Sequence, residues 1–273
     1  MRNDRSYRNH QRFGSFSVEN LRLLRCLFGI AVSDVVFIHA RSNDFSMTSE
    51  NHNSLTVVKV GGSLLNWMGL RSTLEARLQQ IEGSKIVLFG GGPLVDSIRS
   101  FDHQFGLGDE TSHWLCIDAM SINSKIGSKI ISRVEWTDQF RQLHHLRESK
   151  PDETVIFDCS KWLAKNDETN QSRFEKSWNL TSDSIAAALA VDVGATDLEL
   201  LKSRLTTPQS PTLQKMIETG LVDPLFCDTL GWEIHSQIRR LAMPRMVRIT
   251  NLRGSSGNWP YFAFPREFDK RLA

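Results

Sequence analysis

The sequence has few cysteines, no excess of charge of either sign and no long apolar run. The cysteines lie far apart without a Cys-x-x-Cys pair, which excludes a disulfide framework and a zinc knuckle and indicates a reducing, cytoplasmic compartment. They are Cys26, Cys116, Cys159 and Cys227.

The charge balance and the apolar runs exclude two further classes of partner. With 33 Lys+Arg against 31 Asp+Glu, the net charge is too small to favour nucleic acid as a partner. The most apolar run, residues 26–40, contains Asp34 and is too short to span a membrane. The arginines before it leave a secreted protein as a minor alternative.

The first 54 residues differ from the rest of the chain. Residues 1–20 are polar, rich in Arg, Asn and Ser and without helical or strand periodicity, which predicts disorder. Residues 42–54 form a second polar stretch, and Met47 lies within it. We therefore expect an N-terminal extension at 1–54, either disordered or upstream of a true start at Met47, followed by one domain at 55–273. Peptides from residues 1–46 in the native protein would contradict the second possibility.

From residue 55 onward, short apolar strands alternate with amphipathic helices. Strands are predicted at 56–60, 85–89, 154–157, 197–201 and 246–249. Helices are predicted at 70–81, after Pro93 as far as 98, and at 109–131, 182–193 and 224–241. This alternation indicates an α/β protein with a mainly parallel sheet covered by helices on both faces. Ligands of such sheets bind beyond the carboxyl ends of the strands.

Two glycine-rich turns occupy those strand ends. The first follows a lysine within a buried strand, in the segment Lys59-Val60-Gly61-Gly62-Ser63, and a buried lysine is costly unless an anion meets it. The second, Gly90-Gly91-Gly92-Pro93, opens a helix, whose N-terminus attracts negative charge. Together they predict a phosphate site, whereas the alternative is two ordinary turns with Lys59 reaching the surface. Neither turn fits the P-loop or the dinucleotide fingerprint.

A third polar segment precedes an alanine-rich helix. Thr181, Ser182 and Asp183 can all cap that helix, and this alone would explain them. With Asn179, however, the segment carries more polar groups than a cap requires, and Asp183 could hold lysine ammonium groups through charge-assisted hydrogen bonds.

These three segments, in this order over residues 55 to about 202, resemble the amino-acid kinase family, which includes acetylglutamate, aspartate, uridylate and isopentenyl phosphate kinases. The resemblance implies the carbamate kinase-like αβα sandwich, in three layers, and an ATP- and Mg²⁺-dependent kinase. It implies catalytic roles for Lys59 and Asp183. The implied phosphate- or nucleotide-binding residues are Gly61, Gly62, Ser63 and Lys202. The implied substrate-binding residues are Gly90, Gly91, Gly92, Asn179 and Ser182, and no protein side chain is expected to bind the metal directly.

Further segments resemble one branch of the family, the (aminomethyl)furanmethanol phosphate kinases of methanofuran biosynthesis. They are Ser112-His113-Trp114-Leu115, Ala119-Met120 and Ser177-Trp178. The resemblance implies a furan phosphate as the acceptor, in tetrahydromethanopterin-linked one-carbon metabolism. The alternative for His113 and Trp114 is ordinary helix packing.

The sequence departs from the family after the strand at 197–201. Family members usually carry an Asp-x-Asp-Gly-like turn there that helps to hold the nucleotide, and this chain reads Lys202-Ser203-Arg204-Leu205-Thr206. The second phosphate-binding lysine has four candidates: Lys202, Lys215, Arg240 and Arg245. Two alternative functions therefore stay open, a catalytically silent sensor of a phosphorylated metabolite and an amino-acid (carboxylate) kinase. The expected partners are a small-molecule substrate and a second copy of the chain in a homodimer, with neither nucleic acid nor a membrane.

Overall fold

A computed structural model describes residues 54–147, 152–168, 174–205, 213–230, 244–254 and 259–265. They form one seven-stranded sheet in the order β3-β4-β2-β1-β5-β6-β7. The strands are β1 (Leu55–Val60), β2 (Ser84–Phe89), β3 (Glu135–Thr137), β4 (Thr154–Phe157), β5 (Asp197–Lys202), β6 (Met246–Asn251) and β7 (Tyr261–Pro265). All neighbouring strands are parallel except β6 and β7, which are antiparallel.

Strand β1 lies at the centre of the sheet, and every residue in it and in β2 is buried. Its partners are β2 on one side and β5 on the other, with Val60 opposite both Phe89 and Leu201. Because the three strands are parallel and in step, the segments that follow them leave the sheet at one edge. The two glycine turns and Lys202 therefore lie side by side.

Helices cover both faces of the sheet. They are α1 (Leu70–Gln80), α2 (Gly92–Phe105), α3 (Asp109–Ile130), α4 (Phe140–Leu143), α5 (Ser160–Glu168), α6 (Ser182–Asp192), α7 (Leu213–Glu218) and α8 (Phe226–Leu230). Helices α3 and α6 pack into the larger apolar core, and α1 packs into the smaller core on the opposite face. The predicted αβα arrangement with a mainly parallel sheet is thus confirmed.

The described elements match most of the predicted ones within a few residues, and α2 extends further than predicted, to Phe105. Strands β3 and β7 and helices α4, α5 and α7 were not predicted. The helix predicted at 224–241 is represented by α8, and residues 231–243 lie outside the described part. The same holds for residues 1–53, so the N-terminal extension and the start at Met47 stay predictions. Within the described part, no helix has both the length and the apolar character needed to cross a membrane.

Candidate active site

The two glycine turns touch each other through their backbones. A Cβ atom built on Gly62 would lie 2.2 Å from the backbone nitrogen of Gly92, and one on Gly92 would lie 2.6 Å from the carbonyl oxygen of Gly62. Gly92 also has a φ of 55°, a conformation that side chains other than glycine's rarely allow. Glycine is therefore required at both positions to bring the two turns into contact.

The N–H groups of the turns fall into two sets. The N–H of Gly61 donates to Leu201 O at 2.8 Å, and that of Gly90 donates to Val60 O at 2.9 Å. Both N–H groups thus anchor the turns to the sheet, and phosphate or nucleotide binding by Gly61 and substrate binding by Gly90 stay predictions. The N–H groups of Gly62, Gly91 and Gly92 have no acceptor among the described residues, so they can bind an anion at the N-terminus of α2.

Asn123 orients the second turn. This side chain of α3 is buried, and its Nδ2 donates to the carbonyl oxygens of Gly90 and Gly91, each at 2.8 Å. Since the C=O and N–H of one peptide unit point in opposite directions, these bonds turn the N–H groups of Gly91 and Gly92 away from Asn123. This residue was not predicted from the sequence. The only signal for it is a polar side chain on the buried face of an amphipathic helix.

Two lysines share one buried aspartate next to the turns. Lys59 Nζ lies 2.7 Å from Asp183 Oδ1, and Lys202 Nζ lies 2.5 Å from Asp183 Oδ2. Lys59 and Asp183 are each 4% exposed, which rules out the alternative in which Lys59 reaches the surface. The cluster of Lys59, Asp183 and Lys202 carries a net charge of +1 when all three groups are ionised.

The charges in this cluster shift two pKa values. Burial would raise the pKa of Asp183, but the ammonium groups of Lys202 and Lys59 outweigh it and lower that pKa to about 2. Burial lowers the pKa of Lys202, opposed by Asp183 and assisted by repulsion from Lys59. Asp183 is therefore a carboxylate throughout the neutral range and is suited to holding cations rather than to accepting a proton.

The N-terminus of α6 places Asp183 in this position. The Thr181 hydroxyl caps the helix by accepting from Asp183 N at 3.2 Å. Asp223, just before α8, accepts hydrogen bonds from Thr181 Oγ1 at 2.6 Å and from the backbone N–H groups of Thr181 and Ser184 at 3.1 Å each. Asp223 was missed as well, because it lies 40 residues further along the chain.

The parts of the site converge around Gly90. A Cβ atom at Gly90 would lie 2.9 Å from Ser182 Oγ, 3.0 Å from Gly62 N and 3.3 Å from Lys59 Cε. The structure therefore brings together the two turns, the lysine of β1 and the start of α6, which are three separate segments of the sequence.

A cavity of about 270 Å³ opens beside the glycine turns. Gly62, Gly91, Gly92 and Ser182 line one side of it. Apolar side chains from α2, α3 and α6 and the segment before α6 line the rest, namely Val95, Ile117, Met120, Leu180 and Ile185. The cavity therefore combines an anion-binding end with an apolar body, as small-molecule sites often do.

A tryptophan and an arginine form the far wall of the cavity. The Trp178 Nε1 donates to Asp102 Oδ2 at 2.9 Å, and the Arg99 guanidinium lies 4.7 Å from the centroid of the indole ring. The hydrogen bond from Trp178 is the main reason why the pKa of Asp102 is lowered. This wall is held in place by a hydrogen bond and a cation–π contact.

His113 also lines the cavity, whereas its neighbour Trp114 does not and packs against the larger core. Burial, together with the nearby Lys176, lowers the pKa of His113, which favours a neutral imidazole. The cavity therefore contains a neutral hydrogen-bonding ring between apolar neighbours.

Comparison with known proteins identifies the family. The sequence profile of the amino acid kinase family matches residues 54–203, more than half of the chain. The chain belongs to the amino acid kinase family. The resemblance noted from the three sequence segments is confirmed at this level, and a kinase-type phosphotransferase is the activity that family membership supports. No curated protein matches the sequence.

Solved structures of low identity are similar to this amino acid kinase family chain. Uridylate kinase from Archaeoglobus fulgidus has 19% identity and a TM-score of 0.45, over 71% of this chain and 89% of the other. N-acetylglutamate synthase from Neisseria gonorrhoeae has 12% identity and a TM-score of 0.43, over 75% and 57%. Carbamate kinase from Giardia lamblia has 13% identity and a TM-score of 0.37, over 74% and 93%.

Of the remaining predicted site residues of this amino acid kinase family member, Ser63 lines the cavity and Asn179 does not. Asn179 is exposed, donates to Glu175 Oε1 at 3.4 Å and is not among the residues that line the cavity, and its substrate contact stays a prediction. Ser63 lines the cavity, and its hydroxyl donates to Ser203 Oγ at 2.9 Å.

Of the four candidates for the second lysine, the structure brings Lys202 to Asp183. Lys215 pairs with Glu218 at 3.1 Å, Arg245 is exposed, and Arg240 lies outside the described residues.

Proposed function

We propose that this protein is an ATP-dependent kinase whose acceptor is a small molecule bound in the 270 Å³ cavity. The observation that carries the proposal is the cluster of Lys59, Asp183 and Lys202, next to three backbone N–H groups that have no acceptor among the described residues. A net positive charge beside amide donors is what a phosphoryl group in transfer requires.

The chain's own residues have separable roles in such a transfer. The acceptor oxygen forms a bond to the γ-phosphorus of ATP while the bond from that phosphorus to the bridging oxygen breaks and ADP leaves. The lysines at positions 59 and 202 and the amides of the glycine turns stabilise the negative charge on the transferred group. Asp183, whose pKa is about 2, keeps the two ammonium groups in place and takes no proton.

Magnesium is expected to bind mainly through ATP. The described residues contain no group of three or more His, Cys, Asp or Glu side chains that could hold a metal ion. Mg²⁺ retains several waters and binds phosphate oxygens readily, so a site with few protein carboxylates is compatible with it. When bound, the ion would neutralise phosphate charge.

The acceptor proposed from the branch resemblance is a furan phosphate. Residues that carry the branch resemblance line the cavity, namely His113, Met120, Ser177 and Trp178. The apolar body suits a small ring, and the glycine amides suit an attached phosphate. These observations support a phosphorylated heterocycle as the acceptor within the proposed kinase.

A second candidate function is a catalytically silent protein that binds a phosphorylated metabolite. It is favoured by the absence of the Asp-x-Asp-Gly-like turn after β5, where the chain continues as Lys202-Ser203-Arg204. In this case the anion site would serve recognition alone.

The experiment that separates the two candidates is an assay of the purified protein with ATP, Mg²⁺ and a panel of small phosphates, hydroxyl compounds and carboxylates. For a kinase, replacing Lys59 by Met should lower kcat by about 10²–10³-fold, as for the loss of one transition-state donor. The matched control is Lys85→Met, since Lys85 is also a buried lysine, on β2, and pairs with Asp152 at 3.9 Å near the other end of the strand. It should keep its kcat.

Two outcomes would contradict the kinase. One is no turnover with any acceptor while phosphorylated compounds still bind, which would favour the silent protein. The other is an equal loss of kcat in the Lys59 and Lys85 variants, which would remove Lys59 from a specific role.

A further inference from the structure

His113, on α3, is a buried polar side chain that has no hydrogen-bond partner among the described residues. Its exposed fraction is 9%, and its ring contacts that of Trp114 edge-on, with the centroids 5.2 Å apart. The charged groups that act on it are paired with one another, since Lys176 Nζ lies 2.6 Å from Glu110 Oε1 and 3.0 Å from Asp167 Oδ2. A buried polar group without a partner is costly, so the imidazole has hydrogen bonds left for a ligand.

Helix α3 places His113 at the end of the cavity that is far from the glycine turns. The cavity is lined by three residues of α3 at intervals of three or four, His113, Ile117 and Met120. Asn123 continues this stripe and holds the second glycine turn. His113 precedes Asn123 by ten residues, which corresponds to about 15 Å along the helix. A compound whose phosphate meets the glycine amides therefore has its opposite end on the side of His113.

The chemistry of this imidazole matches an uncharged hydroxyl group. Burial and the nearby Lys176 lower the pKa of His113 and so favour its neutral form. A neutral imidazole offers one N–H donor and one nitrogen acceptor, and a hydroxyl group can pair with either of them. Because the neutral ring carries no charge, it cannot compensate the charge of an ionised group.

We propose that His113 selects the acceptor by a hydrogen bond to a hydroxyl group at the end of the molecule opposite its phosphate. The proposal rests on the proposed function, in which the phosphate of the acceptor lies at the glycine amides. A site built to bond a substrate hydroxyl rejects the analogue without it, because the buried polar group then stays unpaired. His113 is thus a specificity-determining residue, whereas Ile117 and Met120 contribute shape and apolar contact.

Calorimetric titration of the full-length protein without ATP tests the proposal. The two probes are furfuryl phosphate and its derivative with a hydroxymethyl group on the opposite side of the furan ring. We expect the wild type to bind the derivative about tenfold more tightly, or better. Because no phosphoryl transfer takes place, the result does not depend on turnover.

Three variants assign the preference to His113. His113→Phe keeps an aromatic ring without hydrogen bonds, so it should bind the two probes with equal affinity. His113→Gln keeps a donor and an acceptor and should retain a preference. The matched control is Cys116→Ala, which alters the same cavity wall and should leave the preference unchanged. His113→Phe should also melt no lower than the wild type, because it removes an unpartnered polar group, whereas the loss of a structural hydrogen bond would lower the melting temperature.

Three results would overturn the proposal. The first is equal affinity of the wild type for the two probes, or no binding of either at millimolar concentration. The second is a preference that persists in His113→Phe, and the third is a preference that is lost equally in Cys116→Ala. A protein without kinase turnover that shows the preference, and loses it in His113→Phe, would contradict the kinase and support the role of His113. The failures of the two proposals are therefore distinguishable.

Discussion

Replacing Asp183 by asparagine should destabilise the protein by about 3–5 kcal/mol, the usual cost of removing one partner from a buried ion pair. In the wild type, the Asp183 carboxylate lies 2.7 Å from the ammonium group of Lys59 and 2.5 Å from that of Lys202. The variant leaves these two ammonium groups close together without the carboxylate. The lowered pKa of Asp183 gives an independent and smaller value for this free energy. A shift from 3.8 to about 2 corresponds to about 2 kcal/mol of stabilisation by the ionised form. The remainder reflects repulsion between the two lysines in the variant.

The pH dependence of this stabilisation has a definite sign. Because the pKa of Asp183 is lower in the folded state than the ordinary value of 3.8, the unfolded chain binds a proton more readily as the pH falls. The contribution is therefore complete at pH 5 and above, and is lost between about pH 4 and pH 2. The difference in unfolding free energy between the wild type and Asp183→Asn should shrink over that range.

Urea denaturation at pH 7, and again at intervals down to pH 3, measures both effects. The double variant Asp183→Asn with Lys202→Met should recover part of the lost stability, since one of the two repelling charges is gone.

The matched control is Asp223→Asn on the neighbouring buried carboxylate, whose partners are hydroxyl and amide groups instead of cations. Burial raises the pKa of Asp223, so its contribution should change with pH in the opposite direction. A cost below about 1 kcal/mol for Asp183→Asn, or one that does not vary below pH 5, would refute the reasoning.

Two further predictions concern the turns and the cavity. Gly62→Ala should lower the melting temperature by several degrees and abolish any kinase activity, because the added Cβ would lie 2.2 Å from Gly92 N. Calorimetry measures the first effect and the kinase assay the second. A melting temperature equal to that of the wild type would contradict the prediction. Burial raises the pKa of the Cys116 thiol to about 11, so alkylation by iodoacetamide, followed at this cysteine by peptide mass spectrometry, should be slow at pH 7.5 and rise about tenfold per pH unit as far as pH 9. Rapid alkylation at pH 7.5 would show that the thiol is more exposed to solvent than its place in the cavity wall implies.

The central strands and the glycine turns could be predicted because their signals are local. Strands β1 and β2 are continuous runs of buried residues, and each ends in glycines. The edge strand β3 carries no such signal, because it has three residues and two of them are exposed. The antiparallel β7 follows β6 after only residues 252–260, a connection too short to mark a further parallel unit with its crossover helix.

The supporting residues of the site could not be predicted, because their partners are distant in sequence. Asn123 lies more than 30 residues from the carbonyl groups it holds, and Asp223 lies about 40 residues from the helix cap that it supports. A lone asparagine in a helix and a lone aspartate in a loop are common in any sequence. Only the packing of α3 against the second glycine turn and of α8 against α6 gives them their roles.

Strand register determines which of the basic residues is the second lysine of the site, a choice that residue type alone leaves open. Lys59 pairs with Leu200, and Lys202 lies two residues further along β5. Because side chains alternate between the faces of a sheet, Lys202 points to the same face as Lys59, where α6 presents Asp183. Arg245 immediately precedes β6, and its N–H donates to Thr196 O at the amino edge of the sheet, so it cannot reach the glycine turns. The position at which the chain departs from the family's nucleotide-binding turn thus provides the cation that completes the cluster. In the proposed kinase, the cluster of Lys59, Asp183 and Lys202 thus keeps its net positive charge although that turn is absent.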